Sequence, residues 1–156
     1  MLRWVMVVAV ALGIYSFGDS LIAPFRTVQT IDPALGVIEL PREADGHYYL
    51  TAKINGVQIR FVVDTGATGI VLSQTDASRA GLSPDQLAYI HTANTANGTV
   101  RIAPVILDSF DVGGLEDQNL RAYVNEGALE GSLLGMSYLR RYEKIIITRD
   151  ILRLER

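Results

Sequence analysis

Phe61-Val62-Val63-Asp64-Thr65-Gly66-Ala67-Thr68-Gly69-Ile70-Val71-Leu72-Ser73 decides how the rest of the chain is read. Two strongly apolar runs are interrupted by a carboxylate, hydroxyls and glycines. A lone carboxylate is costly to bury. Asp64 is therefore either solvated in a turn or part of a site built around it. Phe61-Val62-Val63 delivers it at the end of a buried strand, Gly66 lets other backbone come close, and Ile70-Val71-Leu72 returns into the core. Asp and Gly are also ordinary turn residues, so the triplet alone does not choose between the two readings.

The flanks continue the strand pattern. Residues 37–40 read as a strand, followed by a polar turn at 41–46. Residues 47–54 and 57–63 read as a hairpin across Asn55-Gly56, both of which accept positive φ. Ser73 is placed to cap a short helix over 74–80, with Gly81 as its stop. Residues 87–91 and 99–103 are expected to form a second hairpin with a small, polar tip. Residues 105–107 and 115–124 continue the strands, with Gly113-Gly114 as a turn. A short helix is expected over 136–142, and 143–147 with 151–154 close the chain as strands. Many short strands with regular turn signals predict an all-β barrel or sandwich with one or two short helices.

With 156 residues there is room for one domain, and 49% hydrophobic content can fill its core. The net charge of −3 and the lack of a Lys/Arg stripe argue against nucleic acid as a partner. There is no cysteine, which removes thiol catalysis, thiolate metal sites and disulfides. His47 and His91 lie far apart without metal-ligand spacing and read as strand residues, so neither metal nor cofactor is expected. The start of the chain differs from the rest. Trp4 to Phe17 is apolar, Arg3 precedes it, and Trp4 and Tyr15 suit the two interfacial belts. Residues 1–23 are expected to be an N-terminal transmembrane anchor. A cleaved signal segment is the second reading and a buried helix the third. Residues 24–35 read as a linker and 36–156 as the folded domain, placed outside the cytoplasm.

Phosphoryl transfer on a strand-end Asp would require a second Asp two residues on or a Lys directly after it. Gly66 and Thr65 stand there instead, and the alternation of strands and helices is missing. Peptide hydrolysis by an aspartate dyad fits better. Val62-Val63-Asp64-Thr65-Gly66-Ala67 resembles the active-site loop of retropepsin-like aspartic proteases. Leu133-Leu134-Gly135 followed by a short helix resembles the second signature of that family, and Thr95-Ala96-Asn97-Gly98 falls where the family places its flap. The order covers roughly residues 36–156. With the N-terminal apolar segment, the whole chain is similar to bacterial membrane-anchored, single-domain members of the clan.

The resemblance implies a single-lobed acid-protease barrel and an aspartic endopeptidase. Asp64 would be the catalytic residue, with Thr65, Gly66 and Ala67 supporting the loop. Asn94, Thr95, Ala96, Asn97 and Gly98 would form the substrate-binding flap, and Leu133, Leu134 and Gly135 the apolar-apolar-Gly motif. Only one such loop exists, because Asp111-Val112-Gly113-Gly114 lacks the hydroxyl residue and reads as a hairpin turn. A working site would therefore need a homodimer, with a polypeptide substrate held as an extended strand. The expected location is a bacterial inner membrane, single-pass, with the catalytic domain on the periplasmic side. One departure stands out. Retroviral members usually carry an acidic residue two positions after the Gly of the triplet and an Arg directly after the downstream Gly. Thr68 and Met136 occupy these positions, so an ion pair near the dimer interface is missing and weak dimerisation is expected. The alternative from another class is a catalytically silent domain of the same fold that binds peptides or assembles. A precursor that cleaves its own linker is a third possibility.

Overall fold

The computed structural model describes residues 28–95 and 98–156. The expected anchor, and Ala96 and Asn97 of the expected flap, lie outside the described residues. Among the described residues no helix is long and apolar enough to cross a membrane.

The fold is all-β with two short helices. β1 (Thr30–Asp32), β2 (Val37–Pro41), β3 (Tyr49–Ile54), β4 (Val57–Val63) and β5 (Ile70–Leu72) come first. Helix α1 (Gln74–Arg79) and a 3-10 turn (Pro84–Gln86) follow. β6 (His91–Thr95), β7 (Gly98–Val112), β8 (Leu115–Asn125) and β9 (Ser132–Leu134) lead to helix α2 (Met136–Leu139). β10 (Lys144–Ile147) and β11 (Ile151–Glu155) end the chain.

Two sheets result. The smaller has the order β1-β2-β11-β10, and the larger β3-β4-β9-β5-β8-β7-β6. β3 also pairs with β7, Lys53 opposite Asp111 and Ile54 opposite Phe110, so the larger sheet closes into a barrel from which β6 projects. The β3–β4 hairpin forms across Asn55 and Gly56, with φ of 49° and 84°. These are the values a tight hairpin turn demands. Gly113 and Gly114 also adopt positive φ, and the Gly114 amide donates to Asp111 Oδ1 (2.7 Å), forming the hairpin turn expected there.

Alternation along the strands sends Leu50, Ala52, Ile54, Ile59, Phe61, Leu107, Phe110, Ala122 and Val124 inward. Phe61, Phe110 and Tyr138 form a ring stack, with centroids 5.6 Å and 4.5 Å apart. Ile38, Leu40, Leu152 and Leu154 of the smaller sheet join the same core. Each fully buried Leu, Ile, Val or Phe among these contributes about 1.5–3 kcal/mol relative to exposure.

Three local expectations are corrected. Thr30–Asp32, inside the stretch read as linker, forms β1 on the edge of β2. Just before it, the Gln29 carboxamide donates to the Thr51 carbonyl (2.8 Å) and accepts from the Thr51 amide (2.7 Å). It takes the place of a strand neighbour where β3 lacks one. Residues 87–90 are not a hairpin arm, and β6 begins only at His91. Residues 99–103 and 105–107 belong to one strand, β7. Pro104 is tolerated because β6 pairs no further than Ile102 and β3 starts at Phe110, leaving β7 a free side between them.

Candidate active site

β9 lies between β4 and β5, parallel to the first and antiparallel to the second. The connection from β4 to β5 must therefore cross the end of β9, and that connection carries Asp64. The Asp64 amide donates to the Leu134 carbonyl (3.1 Å), and the Asp64 carbonyl accepts from the Ala67 amide (3.2 Å). Asp64 Oδ1 accepts from the Gly66 amide (2.8 Å), an Asx turn that orients the carboxylate. Asp64 is half-buried, and Thr65 and Gly66 are exposed.

Helix α2 has no side-chain cap at its start, where Gly135 is the N-cap. Its first free amides would be left unpaired there. The Asp64 loop supplies the acceptors: Met136 N donates to the Ala67 carbonyl and Ser137 N to the Thr68 carbonyl, both at 2.8 Å. Gly135 is required by space. A Cβ there would lie 2.3 Å from the Gly69 carbonyl oxygen and 2.5 Å from that of Ala67. The loop residues Asp64, Thr65, Gly66 and Ala67 and the motif Leu133, Leu134 and Gly135 thus form one hydrogen-bonded unit. The missing ion pair leaves Thr68 exposed and Met136 partly buried against the core. The backbone bonds at both positions remain.

Among the described residues no salt bridge engages Asp64. Its carboxylate is not consumed by a structural ion pair and remains available for chemistry. Buried carboxylates elsewhere are treated differently: Asp117, almost wholly buried, is held by both Arg141 (2.6 Å) and Arg156.

The β6–β7 hairpin carries the described flap residues. Thr95 pairs with Gly98 at its tip, and the Thr95 hydroxyl donates to the Gly98 carbonyl (2.7 Å). The Thr99 hydroxyl donates to Asn94 Oδ1 (3.1 Å). This hairpin joins the Asp64 unit through the ladder β7–β8–β5. Its base is clamped by a two-pronged ion pair, Arg101 to Glu126, at 2.5 and 2.6 Å. The Glu126 carbonyl in turn accepts from the Gln74 side chain (2.5 Å). Sequence reading misses this clamp. Arg101 and Glu126 become neighbours only once Ile102 is registered against Asn125.

Residues 50–141 match the family described as "gag-polyprotein putative aspartyl protease". A solved retropepsin-like aspartic protease from Rickettsia conorii superimposes with a TM-score of 0.71 at 43% identity, covering 76% of this chain and 98% of that one. The EIAV protease, solved with an inhibitor, shares the fold at 16% identity (TM-score 0.56), covering 68% of this chain and 97% of that one. An uncharacterized protein of Rickettsia prowazekii is 38% identical over 96% of this chain and 67% of its own length. An uncharacterized protein of a Sinorhizobium species is 37% identical over 97% of this chain and 70% of its own. The chain belongs to the retropepsin-like aspartic proteases. Its fold and family are those of enzymes that cleave peptide bonds with aspartate.

Proposed function

We propose that the protein is an aspartic endopeptidase whose site is completed by a second copy of the chain, bringing two Asp64 carboxylates together. The observation that carries this reading is a half-buried carboxylate, in no ion pair among the described residues, fixed at the apex of a cross-bonded loop and present once per chain. One carboxylate cannot serve as base and acid in the same step. Two held about 3 Å apart cannot both ionise and so share a proton. The ionised one takes a proton from water as its oxygen attacks the scissile carbonyl carbon. The protonated one donates to the carbonyl oxygen, giving a tetrahedral diol with no covalent enzyme intermediate. Such general acid–base assistance is worth roughly 10²–10⁴-fold.

Thr65 is exposed in the single chain and would hydrogen-bond across the two-fold axis to its counterpart in the second copy. The flap residues Asn94 to Gly98 would close over an extended substrate strand. With residues 1–23 as a single-pass anchor, the barrel would stand on the periplasmic side of a bacterial inner membrane. Tethering would offset weak dimerisation by raising local concentration.

The test uses the full chain in detergent, wild type beside Asp64→Asn, with an unfolded protein as substrate between about pH 3.5 and 8. Cleavage by wild type alone, rising faster than linearly with enzyme concentration, is expected. No cleavage by a folded, dimeric wild type overturns the reading in favour of a peptide-binding module.

A further inference from the structure

β9 has three residues and is fed by residues 126–131, which form no helix or strand. Yet its register decides which carbonyl meets the Asp64 amide, and a one-residue slip would turn every side chain to the other face. Leu134, wholly buried, favours the observed register. So does a second device on the neighbouring helix.

Ser73 is the N-cap of α1, and its hydroxyl accepts from the Asp76 amide (3.2 Å). Ser73-x-x-Asp76 is therefore half of a capping box. The other half should be the Asp76 carboxylate accepting from the Ser73 amide. That bond is replaced. The Ser73 amide donates to Ser132 Oγ (3.2 Å), and Ser132 Oγ donates to Asp76 Oδ2 (2.7 Å). A hydroxyl from β9 has been inserted into the cap of α1. Ser132 is fully buried, so its hydroxyl depends on these two partners. Asp76 Oδ1 is held by Arg79 (2.9 Å), whose other nitrogen donates to the Gln58 carbonyl of β4 (2.9 Å). β4, β5, β9 and α1 are thus tied at one point, two residues along β9 from Leu134.

We propose that Ser132 and Asp76 are positioning residues for catalysis. The interrupted capping box fixes the height of β9, and the Leu134 carbonyl passes that position to the Asp64 backbone. The inference rests on the protease reading for its kinetic consequence, but its structural half stands apart. Ser132→Ala leaves Asp76 free to close the box directly on the Ser73 amide, so α1 keeps its cap while β9 loses its pin.

The experiment follows the full chain in detergent micelles by two readouts. In Ser132→Ala, kcat is expected to fall by about tenfold to a hundredfold, the scale for small misplacement of a catalytic group, with KM changed less than about twofold. By NMR, hydrogen exchange of the Asp64 amide should quicken at least about tenfold, while amides of β7 and β8 exchange as in wild type. Asp76→Asn keeps an oxygen for the Ser132 hydroxyl and should retain most activity, whereas Asp76→Ala should behave like Ser132→Ala. Unchanged Asp64 exchange in Ser132→Ala overturns the proposal, as does exchange that quickens uniformly over the whole barrel. Should Ser132→Ala not fold, the Asp76→Asn and Asp76→Ala pair decides on the same two readouts. An inactive wild type whose Asp64 amide still responds would refute the protease reading and leave the positioning device standing.

Discussion

The Asp64 loop and the β6–β7 hairpin are both excursions from the same barrel, and they are built in opposite ways. The loop is gripped from below by carbonyls and amides of β9 and α2, with Gly135 pressed against its backbone. Among the described residues β6 pairs with β7 alone, and every β6 residue except Ala93 is exposed. At the tip glycine of the hairpin, Gly98, no described atom beyond its chain neighbours lies within 4 Å of where a side chain would begin. The difference teaches where this chain places rigidity. Backbone bonds from β9 and α2 hold the Asp64 loop, while the β6–β7 hairpin has, among the described residues, one neighbouring ladder and a clamp at its base.

The severest way to break the comparison is Gly135→Ala. Its Cβ would meet two carbonyl oxygens far inside contact distance, and neither can swing away as a side chain would. A loss of at least about 3 kcal/mol is expected, at the upper end for single substitutions. It would be measured by urea unfolding, with proteolysis abolished.

Alkaline titration probes the floor of the same unit. Burial raises the ionisation of Tyr138 well above the ordinary tyrosine range, with the neighbouring Tyr142 adding to it, and burial raises Tyr142 as well. Below about pH 10 both folded and unfolded states keep these protons, and stability is unaffected. Above it the unfolded chain ionises and the folded one resists, so stability falls as pH rises. Thermal unfolding from pH 8 to 11 should show this fall beginning near pH 10. Tyr138→Phe should flatten it.

At the tip of the β6–β7 hairpin, Gly98→Ala should cost about 1 kcal/mol. The space is open, but φ of +112° disfavours a side chain. Stability is read by thermal melting, and slower turnover with little change in fold would mark a stiffened or misdirected tip. The smallest effect is expected from Arg101→Ala. Its ion pair with Glu126 is largely solvent-exposed and is worth about 0.2–1 kcal/mol. Amide exchange in β6 should quicken nonetheless, with the Asp64 loop unaffected.

The rigid region was also the legible one. Asn55-Gly56, Ser73 and the apolar runs around Asp64 act through local chemistry, and the hairpin, the cap and the loop stand where the residues indicated. β6 was misplaced for a physical reason. Leu87 and Tyr89 alternate with exposed neighbours as a strand would, but they pack on the core as irregular chain after the Pro84 turn. The true strand, His91–Thr95, is polar and exposed on both faces, so no burial pattern announces it. β1 is not legible in the sequence because its pairing depends on β2 and on the Gln29 carboxamide meeting a strand 22 residues away. Ser132 looks like any small residue before an apolar pair. Its role appears only when the barrel sets it beside Ser73 and Asp76.

The Gln29 carboxamide on Thr51 has a mechanical consequence. The described chain is held first at Gln29, by two hydrogen bonds to the outer edge of β3, and then at β1, laddered to β2 in the smaller sheet. A pull on the amino-terminal end is borne there, by a clip that can peel away one bond at a time. The next strand beyond β3 is β4, whose end leads into Asp64, so a load on the clip reaches the Asp64 strand through the β3–β4 ladder.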